Sequence, residues 1–209
     1  LLKQENRLPN ALWGTVALAG MLWFVTFYLS WSVFWIKISA SASILAGLSF
    51  ALQPFEKDLF KLNAKLVLAG ILSAIFLYGI FWLGKAVSTL ILPFAGEQIG
   101  GIYGKGAGTS TGVISLLLFF ITGPAEEIYW RGYLQKNLMA RHGNLRGWLL
   151  ATAIYAGVHI WSFNFMLVGA AAVAGAFWGA MYWRFNNLSS VIISHSIWST
   201  VIFAFLPMN

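Results

Sequence analysis

Two adjacent carboxylates, Glu126 and Glu127, stand well inside one of the long apolar runs of the chain, LLLFFITGPAEEIYWRGYLQ. Side by side in a hydrophobic helix, they cannot both be ionised without compensation. Glu127 and Arg131 lie at i and i+4, on one face, and can pair directly. Glu126 points about 100° around the helix, with Thr122 four residues before it and Trp130 four after. It has no local countercharge, so its partner must come from another helix. Pro124, two residues earlier, removes a backbone bond and can kink or open the helix there.

The histidines repeat the pattern. His159 sits in the apolar run AIYAGVHIW and His195 in VIISHSIWS, whereas His142 falls in a basic loop and reads as surface. Each of the first two has a hydroxyl residue four positions away on its own face, Tyr155 before His159 and Ser199 after His195. A carboxylate and two imidazoles from three runs are the parts needed to bind a metal or to activate a water. Taken singly, each has an ordinary explanation: a packed histidine, or a structural ion pair within one helix. It is their joint occurrence in a chain with only six acidic residues that suggests a site. Glu5, Glu56, Asp58 and Glu97 all fall in expected loops.

The elements that must position these residues are membrane helices. Apolar residues make up 59% of the 209 residues and charged ones 9%, far below the roughly 25% charged residues of a soluble domain. None of the apolar runs alternates with period two, so a β-barrel is excluded. Charge clusters, Pro and Gly cut the chain into runs at Ala11–Ile36, Ile38–Gln53, Lys65–Phe94, Ser110–Arg141, Leu145–Phe163, Met166–Arg184 and Leu188–Leu206. The expected fold is an all-α polytopic bundle of about seven spans, within a range of six to eight. The second run is short enough to be re-entrant or tilted. The Gly-rich stretch from Glu97 to Gly108 (EQIGGIYGKGAG) reads as a flexible loop near the outer face, and it lacks the Ser or Thr that a phosphate loop requires. The first run is too long for a cleaved signal peptide and reads as an uncleaved anchor. Residues 1–209 therefore read as one integral membrane domain.

With the N-terminus inside, Lys3, Arg7, Lys57, Lys61, Lys65, Lys136, Arg141, Arg146 and Arg184 lie on the cytoplasmic side. Only Lys37 and Lys105 lie outside, and Lys85 and Arg131 fall within spans. That asymmetry follows the positive-inside pattern, so the net charge of +7 reads as topology and not as nucleic-acid binding. No cysteine is present, so disulfides and thiolate metal sites cannot form. Ala171, Gly175 and Gly179 form a small-residue stripe suited to close helix packing, with self-association the lesser alternative. Trp13, Trp35, Trp148 and Trp183 sit near span ends, as interfacial belts require.

Glu126-Glu127-x-x-x-Arg131, then Tyr155-x-x-x-His159, then His195-x-x-x-Ser199 resembles the CPBP family of intramembrane proteases. That family includes the type II CAAX prenyl endopeptidases and the bacteriocin-processing (Abi) proteins. The resemblance covers about residues 110–206, and its first motif, EExxxR, is intact. It implies an intramembrane endopeptidase acting on membrane-associated, prenylated or leader-type peptides, placed in the bacterial inner membrane. By the same resemblance, Glu126 and His159 would activate the attacking water. Glu127 and Arg131 would shape and neutralise the site, and His195 with Ser199 would serve the oxyanion or a metal. Zinc is the metal implied, with His159, His195 and Glu126 as its ligands. Ser199 is the departure, because the family carries Asn or Asp there, and a hydroxyl is shorter and has no fixed plane. That departure keeps a second expectation alive, a non-catalytic scaffold or assembly subunit partnered with other membrane subunits. A proton-coupled transporter using Glu126 as carrier is a third, weakened by the absence of an internal repeat.

Overall fold

The computed structural model describes residues 7–208, with side chains from Ala11 onward. Lys3 and Glu5, assigned above to the inner side and to a loop, lie outside the described residues, as does the side chain of Arg7. Eight helices follow in order: α1 Arg7–Phe27, α2 Phe34–Leu52, α3 Ala64–Ile91 and α4 Ala95–Gly104, then α5 Thr111–His142, α6 Asn144–Val158, α7 Phe165–Phe185 and α8 Leu188–Phe205. Among the described residues there is no strand. Five helices (α2, α3, α5, α7 and α8) are long and apolar enough to cross a membrane, and α1 contributes a shorter apolar segment, Ala11–Phe27.

The starts are set by local chemistry. Asn63, Ser110, Asn164 and Asn187 each accept a backbone N–H from the first turn of the following helix. At the other end of α7, Asn186 takes a left-handed conformation, φ 45°, which Asn tolerates better than most residues.

α5 is the central element. α2, α6 and α8 pack on it, α7 pairs with α6, α1 packs on α2 and α6, and α3 lies outside against α8. Burial follows this order: 56% of the α8 span is buried against 17% of α3. α5 is not one regular helix. Leu118–Thr122 and Ile128–Gln135 are π-helical, and only the short α-helical piece Gly123–Glu127 between them carries the two carboxylates. Pro124 supplies the reason for the first π turn. It has no N–H, and its ring would collide with the carbonyl four residues back. A wider turn relieves this, and the Gly123 N–H reaches the Leu118 carbonyl.

Three expectations need correction. The Ala11–Ile36 run is broken: α1 ends at Phe27, and α2 begins at Phe34. α2 is accordingly long and apolar enough to cross a membrane, and Lys37 is buried inside it, donating to the Leu29 carbonyl. The Glu97–Gly108 stretch is largely helical, as α4. It is docked, because Gln98 accepts from Asn164 Nδ2 through its carbonyl (2.7 Å) and from the Met166 N–H through its side chain (3.0 Å). Trp35 is a core residue, 3% exposed, whereas Trp13 at 50% fits a lipid-facing belt.

The small-residue stripe of α7 is used within the chain. A Cβ on Gly175 would sit 2.8 Å from Tyr155, and one on Gly179 would sit 2.7 Å from Trp148. Close approach also opens the glycine carbonyls to α5, where Gln135 donates to Gly179 at 2.8 Å and Arg131 to Gly175 at 3.4 Å.

Candidate active site

Glu127 is fully buried, and its Oε1 is shared. Arg131 donates to it at 3.0 Å, and His195 Nδ1 reaches it from α8 at 2.6 Å. The Glu127–Arg131 pair therefore forms as the spacing predicts, although the turn between them is partly π-helical. The Arg131 guanidinium lies 4.8 Å from the Tyr155 ring and 5.6 Å from the Trp178 ring, favourable cation–π geometry. Trp178 also stacks on His195 at 3.8 Å between centroids. One buried carboxylate thus fixes both a cation and an imidazole.

Glu126 is placed differently. Its Oε2 accepts from the Tyr155 hydroxyl of α6 at 3.0 Å. The partner demanded from another helix is a phenol and not a cation. His159 follows at the end of α6, where the helix tightens into a 3-10 turn over His159–Ser162. Its Nδ1 faces the Tyr155 carbonyl at 2.7 Å, and its Nε2 lies 3.3 Å from the Trp23 indole nitrogen of α1. A carbonyl can only accept and an indole N–H can only donate. Those partners fix the tautomer: Nδ1 carries the proton and Nε2 the lone pair.

Glu126, His159, His195 and Ser199 all line a single cavity of about 430 Å³. The histidines, which simple counting along the spans sets at different depths, are brought to the same space. Its remaining wall is mostly apolar, with Phe27, Trp35 and Trp178 among the lining residues. Ser199 lines it too, but its hydroxyl leans toward the Ser196 carbonyl at 3.4 Å. α8 comes close here because Gly123 lacks a Cβ, which would stand 2.6 Å from the Ser196 hydroxyl.

The zinc expectation is not supported by the donors as placed. His159 spends one nitrogen on Tyr155 and the other on Trp23, whereas His195 spends only Nδ1, on Glu127, an arrangement that histidine ligands also use. Among the described residues no three His, Cys, Asp or Glu side chains gather as metal ligands. With the His159 Nε2 lone pair taken by Trp23, the three side chains do not stand as a ligand set.

Trp23 was invisible to sequence reasoning. It lies 136 positions from His159, with no spacing to connect them. Tyr155 was visible through its i−4 relation to His159, but its bond to Glu126 was not.

Comparison with known proteins agrees with the motif reading. Residues 109–201 match the model of the family described as type II CAAX prenyl endopeptidase Rce1-like. The match takes in α5 through most of α8, less than half of the chain, and leaves α1–α4 outside it. That family is one of intramembrane endopeptidases, so the resemblance read from EExxxR and the two histidines stands on the whole segment. No curated protein and no solved structure matches the chain.

Proposed function

We propose that the chain is an intramembrane endopeptidase that hydrolyses a peptide bond of a membrane-associated peptide, prenylated or of the leader type. The observation that carries this reading is the convergence of Glu126, His159 and His195 from three helices on one cavity, with Glu127 held behind it by Arg131. Glu126 takes a proton from the attacking water as the water oxygen bonds to the scissile carbonyl carbon. When the long hydrogen bond from the Trp23 N–H opens, the Nε2 lone pair of His159 is free to accept a hydrogen bond from the second water hydrogen and orient the molecule. His195, with Nδ1 bonded to Glu127, donates from Nε2 in its protonated form to the oxyanion, and Ser199 stands one turn further on. When the C–N bond breaks, Glu126 returns its proton to the leaving nitrogen.

Glu126→Gln tests this. A general base contributes about 10²–10⁴ in rate, so cleavage of a verified membrane peptide by the purified protein falls by at least about a hundredfold. Unchanged cleavage would remove Glu126 from the mechanism.

A second reading, a scaffold subunit that has kept the fold without the chemistry, is favoured by two observations. The His159 lone pair already receives the Trp23 N–H, and the Ser199 hydroxyl leans on its own helix. Trp23→Phe separates the two readings, since it frees Nε2 and leaves an aromatic ring. The protease reading expects cleavage to be kept or raised. A scaffold shows no cleavage in either form and keeps its partner subunits in both.

A further inference from the structure

The cavity has a cationic wall that the hydrolytic chemistry does not use. Lys105, at the C-terminal end of α4, lines it half-buried, its ammonium 5.6 Å from the Phe27 ring and 5.3 Å from the Phe34 ring. Lys85 lines the same space. Among the described residues no carboxylate pairs with Lys105; the salt bridges there use Asp58, Glu56 and Glu127. Among the described residues, the one acid lining the cavity is Glu126, and it is bonded to Tyr155. Buried Lys37 stands near enough that its charge acts on Lys105. Burial first, and then that charge, pull the Lys105 pKa below the ordinary lysine value. An ammonium in an apolar wall, facing aromatic rings and a second cation, is short of a counter-anion. The position is also close to the site, since the Phe27 ring that Lys105 faces lies 5.6 Å from the His159 ring.

The geometry points to Lys105 as the anchor for a carboxylate at the end of an apolar chain lying in this cavity. This rests on the reading of the cavity as the peptide-binding site. It adds a terminal-group preference, set by a residue outside the segment that matches the protease family. Two sources carry the same chemistry, the free C-terminus of a membrane peptide and the head of a free fatty acid.

The test is binding, measured by native mass spectrometry on the full chain in a neutral detergent. One pair of probes is dodecanoate and its methyl ester; the other is an apolar hexapeptide with a free C-terminus and its C-terminal amide. A charged hydrogen-bonded contact distinguishes each acid from its neutral partner by about tenfold or more. Lys105→Met is expected to abolish that preference while neutral probes bind as before, and Lys105→Arg to retain it. A preference for the acid peptide alone names the peptide terminus as the source, and one for dodecanoate alone names the acyl chain. Equal binding of acid and neutral probes with Lys105 in place, or a preference that survives Lys105→Met, overturns the inference. All of this is read in the Glu126→Gln background, so no cleavage is needed. No preference with Lys105 in place, while the natural protein shows Glu126-dependent cleavage, sinks only the anchor; a Lys105-dependent preference without such cleavage sinks only the protease reading.

Discussion

At the scale of single residues, the two carboxylates do different work because their surroundings differ. Glu127 is closed off from the cavity and shared between Arg131 and His195, whereas Glu126 faces the cavity with one phenolic partner. Removing the guanidinium leaves a buried carboxylate with His195 as its only remaining partner. Breaking a buried pair costs about 3–5 kcal/mol; Arg131→Met should lie near the lower end because His195 stays. A thermal unfolding series in detergent checks this, and adding Glu127→Gln to Arg131→Met should recover part of the loss. The i, i+4 pairing of Glu127 with Arg131 was legible in the sequence because it is local. The Tyr155–Glu126 and Trp23–His159 bonds were not, because each joins helices whose rotation about their own axes no spacing rule defines.

At the scale of elements, the site depends on places where helices come closer or wind wider than usual. Gly175 and Gly123 are the contact points, and the two π segments of α5 set the direction in which Glu126 and Glu127 project. Gly175→Ala should force Tyr155 aside, at about 1–3 kcal/mol of overpacking, and disturb its bond to Glu126. Gly79→Ala on α3, where a Cβ meets nothing within 4 Å, should be neutral or stabilising by about 0.5–1 kcal/mol. Parallel melting curves and cleavage rates compare the pair, and equal effects at both positions would contradict the packing account. The long apolar runs predicted the helices well, since hydropathy and length define a span. Hydropathy failed at residues 28–33, where YLSWSV turns without a Gly or Pro to announce it. It failed again at α4, whose glycines suggest a loop. Docking of Gln98 onto Asn164 and Met166 supplies the order that propensity does not.

For the whole molecule, five helices of membrane length and the basic residues of the connecting segments describe a protein threaded through a bilayer. With an inner N-terminus, the segment after α2 and the α5–α6 junction face the same side, and the segment after α4 faces the other. The natural chain has no cysteine, so single cysteines report this cleanly. Asp58→Cys and Asn144→Cys should react with an impermeant maleimide only from the cytoplasmic side, and Ala107→Cys only from the opposite side. Exchange of the two sides would reverse the threading, and labelling of all three from one side would contradict it. The contact between Trp23 and His159 has a consequence of another kind. It makes α1 a detachable strut, joined to the rest by the short stretch before Phe34 and touching the proposed centre through the Trp23 indole and the Phe27 ring. Cut within that stretch and produced as two pieces, the protein should reassemble by fragment complementation. Cleavage would then rise and saturate with the dose of the α1 peptide, and a peptide carrying Trp23→Ala should give a different plateau from the natural one.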